Sequence, residues 1–213
     1  MVTKIIHKFL IFVLSALFCI SAFAKDFNFT VFLNDKEIGD HRFQFSDSTV
    51  STQANFDVKL WFIPAYKYRH TSNETYTDGC LTKINSDTQD GADTFKITTD
   101  ENEPPLSISV NQESKKYDSC LQTFRYWDID FLNQKKALNP QDGDLYELNF
   151  TEDGADKIFI NGNEVETHKY TLKAYNLNEE KFHIELWYSA SDNQWLKLKS
   201  FIKDDVITYA IDG

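Results

Sequence analysis

Apolar and polar side chains alternate one by one along most of this chain, as they do in a β-strand that buries one of its two faces. The longest example places one face of a strand on alternate residues: Val50, Thr52, Ala54, Phe56, Val58, Leu60 and Phe62. Turn signals separate such segments, among them Asn161-Gly162, a dipeptide typical of tight hairpins. Roughly a dozen strands follow, without a strand–helix–strand rhythm. The sequence therefore predicts a mainly β fold.

The strands favour a single antiparallel up-and-down sheet that curls into a barrel or half-barrel. One segment departs from the alternation, because Phe124, Trp127 and Phe131 are spaced more as in a helix. We therefore expect a short helix or plug near residues 124–133. Neither an internal repeat nor a low-complexity linker marks a domain boundary. Outward faces carry charges such as Lys67 and Arg69, which favours a soluble domain over a transmembrane barrel.

The first 24 residues have a different character from the rest of the chain. Lys4 and Lys8 precede an apolar run over 9–20, and small residues lead to Ala24. This order is typical of a secretory signal peptide cleaved near Ala24. The apolar run is shorter than the roughly 20 residues that a transmembrane helix needs. The predicted organisation is a signal peptide over 1–24 and one β-rich domain over 25–213, periplasmic or secreted, without a membrane span in the mature chain.

The charge balance narrows the classes of partner. The chain has 22 basic and 33 acidic residues, and two of its lysines lie in the predicted leader, so residues 25–213 carry a formal net charge of −13. A nucleic-acid-binding domain needs a basic surface, which this composition does not offer. The sequence therefore predicts no nucleic-acid partner.

Cleavage would also change the number of cysteines. Cys19 would leave with the leader, and Cys80 and Cys120 would remain. In an oxidising compartment such a pair favours a disulfide. Two separate buried thiols are the alternative.

The segment 65–77 offers the strongest candidate binding site. Its even positions share one face of a strand, and that face is aromatic and ionisable rather than aliphatic. A concave surface of this kind suits an amphipathic small molecule or lipid, because rings cover apolar parts and polar groups fix a head. The predicted ligand-binding residues are Tyr66, Tyr68, His70, Glu74 and Tyr76, with Tyr126 and Trp127 near the mouth. The alternative is a core in which His70 and Glu74 satisfy each other.

Two further functions stay open at this stage. A hydrolase-like enzyme would use His70 with Asp57 or Glu74, although His70 and Glu74 would lie about 13 Å apart along a regular strand. An envelope protein-interaction module would use an exposed sheet edge or an aromatic patch, with another envelope protein as its partner. The remaining histidines and acids are scattered, so the sequence predicts no metal site and no cofactor.

Several short motifs, spread over nearly the whole mature chain, carry a resemblance to a known family. They include KEIGDH at 36–41, YKYRH at 66–70, LNPQDG at 138–143 and LWY at 186–188. In these motifs the chain resembles a family of exported bacterial β-rich proteins known only as a domain of unknown function. The resemblance implies an exported location and a β-rich fold but no activity. The strand pattern is more distantly similar to that of half-barrel lipoprotein carriers of the bacterial periplasm, and fold alone does not imply function.

Overall fold

The computed structural model describes residues 26–60, 63–100 and 106–212, so the predicted signal peptide lies outside the described residues. In these ranges fourteen strands form one antiparallel sheet. In chain order they are β1 Phe27–Leu33, β2 Lys36–Ser46, β3 Thr49–Leu60, β4 Ile63–Thr77, β5 Cys80–Asp90, β6 Asp93–Asp100, β7 Leu106–Val110, β8 Glu113–Tyr117, β9 Lys136–Leu138, β10 Leu145–Ile160, β11 Asn163–Asn176, β12 Glu179–Ser189, β13 Trp195–Ile202 and β14 Asp205–Ile211.

The sheet consists of two arms that meet at its centre. Its strand order is β8-β7-β6-β5-β4-β3-β2-β1-β14-β13-β12-β11-β10-β9, so β1 pairs with both β2 and β14. One arm runs from β1 to β8 and the other from β9 to β14. The two edge strands, β8 and β9, do not pair with each other, and the sheet stays open. This confirms the predicted mainly β, up-and-down architecture, in its half-barrel form.

The alternation in β4 decides which of its side chains reach the concave face. The predicted inward residues Tyr68, His70, Glu74 and Tyr76 are buried, whereas Lys67 on the opposite face is exposed. Strands such as β1 and β2 also bury one of their faces, and side chains from both arms meet on the concave side. This core is aromatic to an unusual degree and includes Phe29, Phe43, Tyr146, Tyr188 and Trp195.

Residues 118–135, which we call the strap, connect the two arms and lie against the concave face. Trp127 packs on Phe43 of β2, with ring centroids 5.4 Å apart. The Tyr188 hydroxyl of β12 donates to the Tyr126 carbonyl at 2.9 Å. Cys80 and Cys120 form a disulfide with an S–S distance of 2.05 Å, which joins the strap to the start of β5. The strap is therefore held by both arms and by a covalent bond.

The expected helix or plug near 124–133 is present in part. A 3₁₀ helix covers Ile129–Asn133, and the Asp128 side chain accepts a hydrogen bond from the backbone N–H of Asp130 at its start. The start of this segment is irregular, and the residues just before it run beside strand β9. The N–H of Leu138 donates to the Gln122 carbonyl at 2.8 Å, and Thr123 forms a parallel bridge with Leu138.

Candidate functional site

A cavity of about 570 Å³ lies on the concave face between the two arms. Its volume falls in the range of about 300–1,000 Å³ that is usual for small-molecule sites. Side chains from both arms and from the strap line it, and most of them are apolar or aromatic. The apolar lining includes Leu33, Ile38, Phe43, Phe56, Val58, Phe124, Phe182, Ile184, Trp195, Leu198, Ile202 and Ile207. The concave face of the sheet therefore surrounds a cavity with mostly apolar walls and is not completely filled by core side chains.

The cavity opens at one end of the sheet. Among its lining residues Tyr66 is 40% exposed and Ile202 is 50% exposed, and the carboxylates Asp90 and Asp205 are exposed beside them. These residues lie where β4 and β14 begin and where β5 and β13 end, which is the same end of the antiparallel sheet. The Tyr66 hydroxyl donates to the Asp90 carboxylate. The strap covers the opposite end.

Six of the seven predicted ligand-binding residues line this cavity: Tyr66, Tyr68, His70, Glu74, Tyr126 and Trp127. Tyr76 is not among the lining residues, because the strap covers it. Its hydroxyl donates to the Glu74 carboxylate and meets Thr123 at 2.6 Å, and the Arg125 guanidinium lies 4.5 Å from its ring centroid. Tyr76 therefore holds the strap on β4 instead of facing the cavity.

A second histidine, which the sequence did not single out, lies beside His70. His41 is opposite Ala54, and Ala54 is opposite His70, in the register of β2, β3 and β4. The small side chain of Ala54 leaves room for the two imidazoles, whose centroids are 6.5 Å apart. His41 stacks on Phe43 with centroids 4.2 Å apart. Only the pairing of three strands reveals this neighbourhood, so no local sequence signal could have shown it.

Several buried polar atoms in this part of the cavity have no hydrogen-bond partner among the described residues. They are both ring nitrogens of His41, Thr52 Oγ1 and Tyr68 Oη. Buried polar atoms are almost always hydrogen-bonded, so these three side chains can bond a molecule that enters the cavity. We call His41, Thr52 and Tyr68 the polar cluster. His70 differs from them, because its Nδ1 lies 2.9 Å from Thr88 Oγ1.

Both imidazoles are neutral near neutral pH. Burial, together with the neighbouring His70, lowers the pKa of His41 well below its ordinary value. Burial lowers the pKa of His70 to about 4. Desolvation disfavours the charged form of each ring, and no compensating anion is bonded to either in the described structure. The site therefore offers neutral imidazoles, each with one donor and one acceptor nitrogen.

Glu74 lines the cavity but is engaged in a structural network. Its carboxylate accepts hydrogen bonds from Ser72 Oγ at 2.9 Å and from Thr123 Oγ1 at 2.7 Å, as well as from the Tyr76 hydroxyl. Burial raises its pKa, and these three hydroxyl donors and the nearby Arg125 oppose that shift. The network ties the strap to β4 and fixes the closed end of the cavity.

The structure does not assemble the acid–base pair that a hydrolase would need. Asp57 lies on the outward face of β3, where it pairs with Arg69 at 2.7 Å. The hydrogen bonds of Glu74 go to three hydroxyl groups, and that of His70 goes to Thr88. Neither carboxylate is bonded to His70 in the described residues. Across the same residues, no group of three or more His, Cys, Asp or Glu side chains is placed to hold a metal ion.

The described residues also contain no helix of the length and apolar character that would cross a membrane.

Comparison with protein families gives one match, over residues 29–212, to a family described as a domain of unknown function, DUF6134. The match spans nearly all of the predicted mature chain and confirms the resemblance drawn from the sequence motifs. A search of curated proteins found no similar sequence.

Among solved structures, the chain is similar to a β-barrel-like protein of the domain of unknown function DUF1849 from Brucella abortus. The identity is 8%, the match covers 87% of this chain and 94% of that one, and the TM-score is 0.60. This likeness shows the fold alone. A second match, LprF from Mycobacterium bovis, has 12% identity, covers 89% of this chain and 85% of that one, and has a TM-score of 0.37, too low to support an inference.

Proposed function

The chain belongs to the DUF6134 family, and we propose that this member is a soluble periplasmic protein that binds an amphipathic or lipid-like molecule in its concave cavity. The observation that carries the proposal is a cavity of about 570 Å³ with apolar walls, lined also by three side chains that have buried polar atoms unpaired within the described residues: His41, Thr52 and Tyr68. An amphipathic molecule satisfies both features, because its apolar part covers the walls and its polar group can bond these atoms.

The apolar walls supply the affinity in this proposal. Burial of apolar surface contributes about 25 cal/mol per Å², and aromatic rings such as Phe56 and Trp195 present large flat surfaces for such contact. The strap closes one end with Tyr126 and Trp127, while the opposite end is open at Tyr66. A ligand would enter at Tyr66 with its polar group reaching Tyr68 and His41.

The periplasmic location has separate support. The Cys80–Cys120 disulfide is typical of an oxidising compartment. The pattern of residues 1–24 predicts export to such a compartment. Both observations fit a carrier or receptor that works in the bacterial envelope.

The alternative of an interaction module finds less support in the edges of the sheet. The edge strand β8 (Glu113–Tyr117) has four exposed residues, and three of its five side chains are charged. Charged side chains on an edge oppose the addition of another strand. We therefore place the function in the cavity rather than at this edge.

A fluorescence titration with N-phenylnaphthylamine, an uncharged probe of apolar cavities, tests the proposal. Ser200 lines the cavity, and Ser200→Trp fills space there. Gln53→Trp adds the same side chain at an exposed position and serves as the control. We expect the wild type and Gln53→Trp to bind one probe, and Ser200→Trp to bind it about tenfold more weakly, a loss near 1.4 kcal/mol. If the wild-type protein does not bind the probe, so that its fluorescence stays that of the probe in water, the proposal is refuted.

A further inference from the structure

The charges that line the cavity restrict the kind of head group it can accept. We infer that the bound amphiphile carries an uncharged polar group that both donates and accepts hydrogen bonds, such as a hydroxyl or amide, and that carboxylate, phosphate and sulfonate head groups are rejected. This inference rests on the proposed function and adds the chemical class of the ligand to it.

The first observation is the sign of the charged residues in the cavity. Those that line it are acidic, with Glu74 at the inner end and Asp90 and Asp205 at the mouth, and no lysine or arginine is among the described lining residues. Proteins that hold carboxylates or phosphates usually do so with arginine, lysine or clustered N–H groups. An anionic head group would here pass two carboxylates and meet no cation.

The nearest arginine is engaged outside the cavity. The two Nη atoms of Arg125 donate to the Gly79 carbonyl at 3.0 Å, to Gln122 Oε1 at 2.9 Å and to the Asp128 carboxylate at 2.5 Å. The same guanidinium lies over the ring of Tyr76, which the strap separates from the cavity. Arg125 Nε is buried without a hydrogen-bond partner in the described structure, but Arg125 is not among the residues that line the cavity, so its role is to stabilise the strap.

The second observation is the hydrogen-bonding character of the polar cluster. A neutral imidazole presents one donor and one acceptor, and the hydroxyls of Thr52 and Tyr68 can do either. An uncharged hydroxyl or amide group can both donate and accept, so it can pair with either the donor or the acceptor nitrogen of His41 and with a hydroxyl of Thr52 or Tyr68. A carboxylate only accepts, so the acceptor nitrogen of His41 would stay unpaired, which costs about 1–3 kcal/mol.

Protonation of His41 cannot readily supply the missing cation. Its ring is buried and stacked on Phe43, with Phe56 and Tyr209 at centroid distances of 6.4 and 5.7 Å. The titratable groups that face it are His70 and Tyr209, neither of which carries negative charge near neutral pH. A buried charge without a bonded partner is strongly unfavourable.

Aromatic walls and acidic residues could also attract a quaternary ammonium head group. Such a group has no N–H donor and no acceptor, so it would leave the nitrogens of His41 and the hydroxyls of Thr52 and Tyr68 unbonded. The uncharged head group is therefore the better match. The experiment includes a cationic amphiphile so that this comparison is tested.

The experiment displaces N-phenylnaphthylamine from the wild-type protein with hexadecanol, hexadecanoate or hexadecyltrimethylammonium, three amphiphiles with the same chain, each kept below its aggregation concentration. We expect hexadecanol to bind at least about tenfold more tightly than either charged molecule. A hexadecanoate or an ammonium affinity equal to that of hexadecanol would overturn the inference. Anilinonaphthalenesulfonate, the sulfonated counterpart of the probe, should likewise bind at least about tenfold more weakly than the probe.

A variant that should gain affinity for anions provides a second test, with a matched control variant. Ser200→Arg places a cation on the cavity wall, and Gln53→Arg places one on an exposed outward position. We expect Ser200→Arg to narrow the preference for hexadecanol over hexadecanoate to about threefold or less, and Gln53→Arg to leave it unchanged. An unchanged preference in Ser200→Arg contradicts the inference. Equal affinities for the uncharged and the charged amphiphiles would refute this inference alone. The absence of binding by every amphiphile and by the probe would refute the proposed function.

Discussion

Removal of the disulfide is predicted to lower stability without changing the cavity. The bond closes a loop of 40 residues between Cys80 and Cys120. In the chain-entropy description a loop of this length constrains the unfolded chain enough to contribute about 4 kcal/mol. Domains are usually stable by about 5–15 kcal/mol, so the double variant Cys80→Ala/Cys120→Ala should lose a large part of its free energy of unfolding.

The folded strap has other anchors that survive this change. The N–H of Leu81 donates to the Leu121 carbonyl at 2.8 Å, and the N–H of Leu138 donates to the Gln122 carbonyl at 2.8 Å. Trp127 also keeps its packing on Phe43. The probe affinity of the double variant should therefore stay within about twofold of the wild type, a difference below 0.5 kcal/mol.

Guanidinium unfolding followed by tryptophan fluorescence measures the first quantity, and the probe titration measures the second. Wild-type protein treated with dithiothreitol is the control, and it should unfold at the same denaturant concentration as the double variant. A loss smaller than about 1 kcal/mol would show that the unfolded chain is not constrained by this bond. A loss of probe binding in the folded double variant would show that the strap needs the bond to close the cavity.

Three further predictions concern single residues of the sheet. Because the pKa of His70 is about 4 in the folded chain and 6.5 in the unfolded one, the unfolded chain binds the extra proton, and His70 by itself should lower wild-type stability by about 3 kcal/mol from pH 6.5 to 4. His70→Asn should remove that part of the pH dependence in urea unfolding, and an unaltered slope would contradict the assignment. Gly39→Ala places a Cβ 1.8 Å from the Asn55 carbonyl oxygen, so unfolding curves should show a loss of about 3 kcal/mol; a wild-type midpoint would refute that close approach. Glu74→Gln cannot accept all three hydroxyl hydrogen bonds, and we expect it to lower the free energy of unfolding by about 2 kcal/mol.

The sequence predicted the sheet well, because the alternation of β4 depends only on local spacing. The burial of Tyr68, His70 and Glu74, and the exposure of Lys67 on the opposite face, follow from a period of two. The register between strands is not local, since it depends on turns and bulges. The sequence therefore did not predict that His41 lies near His70, although the two residues are in register across β2, β3 and β4.

The strap was harder to predict for a related reason. Its apolar residues have nearly helical spacing, but Thr123 forms a bridge with Leu138 and the 3₁₀ helix begins only at Ile129. The alternation of β4 correctly placed Tyr76 on the inward face. It could not show that Arg125 would cover this ring, because that contact joins segments about 50 residues apart.

Native mass spectrometry of the protein isolated from its source cells tests the central claim most directly. The account predicts a mass higher than that of the extracted polypeptide by one uncharged amphiphile, which solvent extraction removes and Ser200→Trp prevents from binding. A protein that carries no such molecule, and that takes up neither hexadecanol nor N-phenylnaphthylamine, would contradict it.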